Sequence, residues 1–390
     1  NLPNDSTIIH LYEADLNLLL GVKWRSLVHH CIDHSLLNVG QFGGLPGRDA
    51  MTPVFLEELQ WETTRASRRS LMRMDFDASS CYDRIIPSIA RLAARSFGQH
   101  KALCFIHATF LQQAKYVLKT KLGLSDEGFS HCQLHPIYGT GQGSANSPVI
   151  WVPISSRLFD AHAARAYGAT FFSPDRSLQL QIFMIGFVDD SNACVNDFVN
   201  SNLNPEILLQ RATADTQLWN DLLCRSGGAL EIPKCLYQLA YYGFTAAGAP
   251  VLKALPQQQA NVRIQELSHA NSTPLKYISP YVARKTLGCY KSPSTNFKAS
   301  LQHIASIAKE KSEAVLNNFI TAESAHRYYY SVYLPSVTYS FPTNTIPERH
   351  LRKVQNASIR PILNRMGYAK STPHAIIYGP TTNKDLHKWN

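Results

Sequence analysis

The sequence has no Cys-x-x-Cys pair among its eight cysteines, no internal repeat and no apolar run that approaches the length of a membrane span. The densest apolar run, from Ile182 to Val188, is far shorter than the roughly 18 residues that a transmembrane helix needs. The cysteines are scattered and no secretory hydrophobic segment is recognisable, so we expect reduced thiols in an intracellular protein. We therefore predict neither a disulfide scaffold nor a membrane protein.

Apolar residues and positive charge are what the sequence does contain. Its 390 residues are 45% hydrophobic and carry a formal charge of +10, which is enough chain for two or three packed units. Between residues 284 and 370, thirteen Lys or Arg stand against four Glu, so this region holds nearly the whole excess. By itself this basic region, interleaved with Tyr328, Tyr329 and Tyr330, is more typical of an ordinary solvated helical surface. The alternative is a nucleic-acid partner, with the cations on the phosphates and the tyrosines stacked on bases.

The middle of the chain shows the periodicity of strands. Two-residue alternation from Leu71 to Asp77 predicts a half-buried strand whose polar face carries Arg73, Asp75 and Asp77. A second strand is predicted from about residue 178 to residue 188, followed by a turn over residues 189–192 and a returning strand. Strands with intervening helices indicate an α+β sheet layer.

Three polar segments suggest one chemistry. The first is Asp75–Asp83 at a strand end, the second is the glycine loop Gly141–Pro148, and the third is Phe187–Asp190 at a hairpin tip. Adjacent carboxylates at a tight tip repel each other, so a hard divalent cation is a natural partner. A third carboxylate on a neighbouring strand would complete a two-metal site for displacement at phosphorus.

Their order carries a family resemblance. Asp-x4-Tyr-Asp, then Gln-Gly-x3-Ser-Pro, then Phe-x-Asp-Asp resembles palm motifs A, B and C of reverse transcriptases, particularly those of non-long-terminal-repeat retrotransposons and group II introns. The resemblance implies a right-hand polymerase palm, an antiparallel sheet backed by helices, with partial fingers and a helical thumb. It implies partial fingers at residues 1–70, a palm with motifs A to D at 71–252, and a connector, basic thumb and C-terminal extension at 253–390.

The same resemblance implies an activity and its participants. The expected activity is that of an RNA-directed DNA polymerase, a nucleotidyltransferase that extends a DNA primer on an RNA template with dNTPs. Two Mg²⁺ ions, or Mn²⁺ in their place, would be the cofactors. No membrane partner is expected, and the oligomeric state is left open.

Individual roles follow from the motif positions. The implied metal ligands and catalytic carboxylates are Asp77, Asp189 and Asp190, and Lys234 in a motif D-like segment is implied as the proton donor to the leaving pyrophosphate. Tyr82 resembles the steric gate that favours deoxynucleotides. The implied nucleotide-binding residues are Ser80, Cys81, Tyr82, Gln142 and Gly143. The predicted nucleic-acid contacts are Arg48, Arg327, Arg352 and Lys353.

Two alternatives stay open at the level of the sequence. One is a catalytically inactive, truncated retroelement remnant that binds nucleic acid. The other is an RNA-dependent RNA polymerase, which Tyr82 disfavours because an aromatic gate excludes a 2′-hydroxyl. Duplex binding without primer extension would identify the inactive remnant. A comparison of extension with dNTPs and with NTPs would identify the RNA-dependent RNA polymerase.

Overall fold

The computed structural model describes residues 13–79, 81–121, 123–132, 138–140, 147–198, 205–256, 261–266, 272–369 and 371–373. The chain divides into two compact units, residues 1–282 and residues 283–390. The region 253–390, predicted as a connector, thumb and C-terminal extension, is therefore divided between the two units.

The first unit contains seven described α-helices and twelve described strands. The helices are α1 (Ala14–Asp33), α2 (Met51–Ser67), α3 (Cys81–Arg84), α4 (Pro87–Ser96), α5 (Lys101–Gln113), α6 (Ser147–Ala163) and α7 (Pro205–Arg225). The strands are β1 (Leu71–Asp77), β2 (Lys115–Thr120), β3 (Gly123–Ser130), β4 (Ala169–Phe172), β5 (Gln179–Ile182), β6 (Met184–Phe187), β7 (Asp190–Asn196), β8 (Leu236–Phe244), β9 (Pro250–Lys253), β10 (Arg263–Gln265), β11 (Ser272–Pro274) and β12 (Lys276–Ile278).

A six-stranded sheet forms the centre of the first unit. Its order is β12-β8-β1-β7-β6, and β9 pairs with β8. Strand β1 is antiparallel to both β7 and β8, whereas β12 runs parallel to β8. The predicted α+β class and the largely antiparallel sheet with helices are confirmed.

One face of the sheet packs on helices α6 and α7. Met72 and Met74 of β1 are buried there in a cluster that includes Phe159 of α6 and Trp219 of α7. These side chains alternate along the strand, so the even-numbered positions of β1 face this core.

The opposite face of β1 is also buried, which corrects the prediction of a half-buried strand. Trp61 of α2 packs in one cluster with Leu71, and the side chain of Arg73 is only 1% exposed. Helix α2 supplies Glu57, whose carboxylate lies 3.2 Å from the Arg73 guanidinium. A charged residue such as Arg73 is tolerated in the interior when an opposite charge neutralises it. Sequence alternation therefore distinguished the two faces of β1 but did not show that both are buried.

The aspartate hairpin is tighter than predicted. Strands β5 and β6 replace the single strand expected up to residue 188, and Phe187 of β6 pairs with Asp190 of β7. The turn therefore contains only Val188 and Asp189, and Asp190 belongs to the returning strand. Hairpin register is fixed by ladder pairing, which polar composition alone does not reveal.

The second unit is mainly helical. Its described elements are β13 (Arg284–Thr286), β14 (Cys289–Lys291), α8 (Lys298–Leu316), α9 (Ala322–Tyr328), α10 (Leu334–Thr338), α11 (Glu348–Ser358) and α12 (Arg360–Arg365). A π-helical turn, Tyr329–Tyr333, joins α9 to α10. Ala308, Val315, Tyr333 and Ile362 form its small core.

All eight cysteines are free thiols. None of the helices in the described ranges is both long and apolar enough to cross a membrane.

Candidate active site

Three aspartates lie at the same end of the central sheet. Asp77 is the last residue of β1, and it is the register partner of Asp190, the first residue of β7. Directly opposed residues of an antiparallel pair project to the same face, so these two carboxylates share one side of the sheet. Asp189 lies in the adjoining turn, and Asp189 and Asp190 are both exposed. The sheet thus ends in a solvent-accessible acidic edge.

The electrostatics of this edge centre on Asp77, whose side chain is 31% exposed. Burial raises the pKa of its carboxyl above the ordinary value of 3.8, the Lys234 ammonium opposes that rise, and the charge of Asp189 adds to it. The Lys234 Nζ lies 3.6 Å from Asp77 Oδ1. One flexible ammonium is therefore the cation closest to Asp77 within the described part of the chain.

The chain after β1 explains how Lys234 reaches Asp77. The amide of Ser79 donates to the Ala229 carbonyl at 2.8 Å, and the amide of Glu231 donates to the Asp77 carbonyl at 2.9 Å. A 3-10 turn, Ile232–Lys234, follows at once. The segment predicted to resemble motif D therefore lies against the end of the motif A strand.

The donor set suits a hard divalent cation. Three carboxylates provide oxygen ligands of the kind that Mg²⁺ prefers, and their mutual repulsion is only partly relieved by one lysine. No three His, Cys, Asp or Glu side chains of the described residues converge closely enough to hold an ion as they stand. The acidic edge has the right ligands, but the ligand set is not preassembled.

The turn of the aspartate hairpin is strained. Val188 has φ +60°, a left-handed conformation that is unfavourable for a β-branched residue. The indole Nε1 of Trp151, in α6, donates to the Val188 carbonyl at 2.6 Å. Gly43 packs closely against the turn, because a Cβ at that position would be 2.1 Å from the Val188 nitrogen. Two separate segments thus hold the turn in place.

The glycine-rich segment around residue 43 runs along β6. The amide of Phe42 donates to the Gly186 carbonyl and the amide of Gly186 donates to the Gly40 carbonyl, each at 2.9 Å. Arg48, predicted to meet template phosphate, donates from Nη1 to the Gln41 carbonyl at 2.9 Å and lies over the Phe42 ring. Its observed contacts stabilise this loop, and its contact with phosphate stays a prediction.

The predicted nucleotide-binding residues are only partly described. Cys81 is buried and Tyr82 is half-buried, and burial raises the pKa of both side chains, with the negative charge of Asp189 adding to the rise. The predicted steric gate therefore lies near the aspartate turn. Ser80, Gln142 and Gly143 lie outside the described residues.

The predicted nucleic-acid contacts in the second unit are exposed. Arg327 pairs with Glu323 at 2.6 Å, and Arg352 pairs with Glu348 at 2.7 Å, each one helical turn apart. Lys353 is exposed on α11 beside Arg352. Exposed pairs of this kind are weak, so both arginines stay available to a phosphate.

Two residues that matter for the site were missed by sequence reasoning. Trp151 reads as an apolar residue of a buried helix, and Gly43 reads as one of several glycines in a loop. Only the fold brings both against the Val188 turn. The sole local signal was the position of Trp151, one turn into the helix that follows the glycine loop.

Comparisons with known proteins give a distant likeness. No protein-family profile matches the sequence, and no curated protein matches it. Among solved structures, telomerase from Candida tropicalis with a TWJ fragment of telomeric RNA is 11% identical with a TM-score of 0.38, covering 96% of this chain and 56% of that chain. The corresponding telomerase complex from Candida albicans is 10% identical with a TM-score of 0.37 and the same coverages.

A third neighbour is the apo telomerase from Candida tropicalis truncated from its C-terminal domain. It is 12% identical with a TM-score of 0.36, and the match covers 63% of this chain and 41% of that chain. This chain thus spans about half the length of the telomerases it matches. Similarity at this level adds no weight to a functional assignment, and none of these three structures is of a non-long-terminal-repeat or group II intron protein.

Proposed function

We propose that this chain is an RNA-directed DNA polymerase of a retroelement, which extends a DNA primer on an RNA template with dNTPs. The observation that carries the proposal is the pairing of Asp77 with Asp190 beside the Asp189 turn. Residues from the first and third polar segments, over a hundred positions apart in sequence, meet there on one face of an antiparallel sheet. Such an edge suits phosphoryl transfer.

Asp77, Asp189 and Asp190 are the residues that would hold two Mg²⁺ ions, with Mn²⁺ as a substitute. When bound, such ions activate the attacking hydroxyl and neutralise charge on the triphosphate and the leaving pyrophosphate. Lys234 reaches the same edge, 3.6 Å from Asp77 Oδ1, so its ammonium is placed to donate a proton to the leaving group. Burial raises the pKa of the Asp77 carboxyl, and the Lys234 ammonium opposes that rise without cancelling it.

Tyr82 supports the choice of deoxynucleotides. Its side chain is half-buried, and the Thr140 amide donates to the Tyr82 carbonyl at 2.7 Å. A rigid aromatic beside the sugar discriminates by steric exclusion of a 2′-hydroxyl. A comparison of dNTPs with NTPs tests this, and a preference for NTPs would favour an RNA-dependent RNA polymerase.

The decisive experiment is primer extension on an RNA template with dNTPs and Mg²⁺. The full chain is compared with the double variant Asp189→Ala/Asp190→Ala, which removes two exposed carboxylates without disturbing a buried core. Extension by the unmodified chain that disappears in the variant supports the proposal. Extension by neither, with duplex binding retained, contradicts it.

One observation favours the second candidate, a remnant that binds nucleic acid without catalysis. The carboxylates of the acidic edge are not preassembled around a single point in the described structure. Tight, salt-sensitive binding of an RNA–DNA duplex that is indifferent to Mg²⁺ would support that function.

We further propose an intracellular setting, in which all eight thiols stay reduced.

A further inference from the structure

We propose that Trp151 is a positioning residue, whose indole N–H holds the aspartate turn in the strained geometry that aligns Asp189 and Asp190. The inference rests on the proposed function, because it assigns the geometry of that site to a residue that makes no contact with the reacting groups. The hydrogen bond from Trp151 to the Val188 carbonyl links α6 to the acidic edge.

The backbone of the aspartate turn is strained at Val188. Val188 has the positive φ that glycine or asparagine would adopt without strain, yet it is a β-branched residue. A conformation of this kind persists only when surrounding contacts over-determine it, and such residues concentrate at functional sites. Something other than the turn's own sequence therefore keeps it in place.

Trp151 and Gly43 both contact the backbone of Val188. Trp151 Nε1 donates to the Val188 carbonyl at 2.6 Å, from a residue that is only 3% exposed in the main core. Gly43 approaches so closely that a Cβ would lie 2.1 Å from the Val188 nitrogen. The carbonyl and the amide nitrogen of the strained residue are thus contacted by two different segments of the chain.

Hydrogen bonds link the Val188 turn to the other two polar segments. The Ser147 hydroxyl, in the first turn of α6, donates to the Thr140 carbonyl at 3.2 Å, and the Thr140 amide donates to the Tyr82 carbonyl. Trp151 lies one helical turn after Ser147. A chain of hydrogen bonds and one helical turn therefore connects Tyr82 with Val188, across the start of α6.

The hydrogen bond of Trp151 distinguishes it from two other buried tryptophans, Trp24 and Trp219. The indole nitrogens of Trp24 and Trp219 have no hydrogen-bond partner among the described residues, although both rings are as deeply buried as that of Trp151. Core packing alone therefore does not require an indole donor. Among Trp24, Trp151 and Trp219, replacement by Phe keeps an aromatic ring in each case and removes an existing hydrogen bond only at Trp151.

The test uses Mn²⁺ binding to the full chain, followed by electron paramagnetic resonance, in the absence of nucleic acid and nucleotide. The variants are Trp151→Phe, the matched control Trp219→Phe, and Asp189→Asn to assign the bound ion to the acidic edge. We expect Trp151→Phe to weaken Mn²⁺ binding about fivefold, the equivalent of one hydrogen bond, while Trp219→Phe leaves it unchanged. Circular dichroism verifies that each variant is folded.

The outcomes separate this inference from the proposed function. If the unmodified chain binds no Mn²⁺, or if Asp189→Asn binds it equally well, the proposed metal site is wrong and the inference fails with it. If binding is present and depends on Asp189, but Trp151→Phe and Trp219→Phe bind alike, only the positioning role is overturned.

A second measurement covers the case in which Trp151→Phe does not fold. The indole ¹⁵N–¹H resonances of the unmodified chain are followed during addition of Mg²⁺. We expect the Trp151 resonance to shift while those of Trp24 and Trp219 stay in place. An unchanged Trp151 resonance at saturating Mg²⁺ would overturn the inference.

Discussion

At the level of single residues, Lys234 and Asp77 form a pair that the proposed reaction must separate. The ammonium lies 3.6 Å from Asp77 Oδ1, and the lysine side chain is 66% exposed. A pair this exposed is weak, so under the proposed function Lys234 would be a counter-ion of Asp77 that a bound divalent cation would replace. Under that proposal, Lys234 and the metal would compete for one carboxylate.

Removal of the Lys234 charge is expected to strengthen metal binding while impairing extension. In Lys234→Met, we expect Mn²⁺ to bind about threefold to tenfold more tightly, because a positive charge near the ion is removed. Isothermal titration calorimetry measures the affinity. Lys101→Met, at an exposed position at the start of α5, is the control, and equal affinities in the two variants would contradict the competition.

Asp77 itself is expected to reduce stability at neutral pH. Burial raises the pKa of its carboxyl, so ionisation is less favourable in the folded chain than in the unfolded one. Asp77→Asn should therefore increase Tm at pH 7, by roughly one to three degrees. The advantage grows as pH rises through the folded pKa and disappears below the ordinary value of 3.8, where both states are protonated.

Thermal melts across the acidic to neutral pH range measure this difference. Asp126→Asn, at an exposed position in β3, serves as the control and should show no such dependence. A lower Tm for Asp77→Asn at neutral pH would show that the Lys234 pair outweighs the burial of the carboxylate.

At the level of secondary-structure elements, a buried charge cluster joins α2 to β1. Arg73 donates from Nη1 to Gln60 at 3.2 Å, lies 3.2 Å from Glu57 and donates from Nε to Asp75 at 3.2 Å. Glu57 is fully buried. Burying these charges is costly, and their pairing connects α2 to the strand that ends at Asp77.

Breaking this cluster from one side is expected to be strongly destabilising. Arg73→Met leaves the Glu57 carboxylate buried without its guanidinium partner, so the free energy of unfolding should fall by about 3–5 kcal/mol. Urea denaturation measures the decrease. The double variant Glu57→Gln/Arg73→Met should recover much of it, and a double variant as unstable as the single one would argue against an electrostatic cause.

At the level of the whole molecule, positive charge is concentrated in the second unit. Arg349, Arg352, Lys353 and Arg360 are all exposed on α11 and α12, at spacings that place them along one side of the helical segment. Glu348, which pairs with Arg352, is the only acidic residue in these two helices. This side suits the phosphates of a duplex.

The salt dependence of duplex binding tests that surface. In Arg349→Gln/Lys353→Gln, the slope of log K against log salt should become shallower by about 0.7 to 0.9 for each phosphate that the variant no longer neutralises. Fluorescence anisotropy at several KCl concentrations measures the slope. Lys309→Gln, on α8 and paired with Glu313, is the control, and identical slopes in all three proteins would place the phosphate-binding residues elsewhere.

Much of the candidate site could be predicted from the sequence because its signals are local. Strand β1 was predicted with its observed bounds, since alternation is set by neighbouring residues alone. The hairpin at the two aspartates was predicted from polar residues between apolar runs, although its turn proved shorter. Lys234 was also predicted as a site residue from the motif D-like segment, but its contact with Asp77 was not.

The sequence alone establishes which residues carry charge, where the acidic pair lies, and that the basic excess follows residue 283. The burial of the polar face of β1 under α2, the opposition of Asp77 and Asp190, and the hold of Trp151 on the Val188 turn come from the folded chain. The physical reason is range. Periodicity and turn composition act over a few residues, whereas burial, strand register and hydrogen bonds between distant segments depend on what packs against each element.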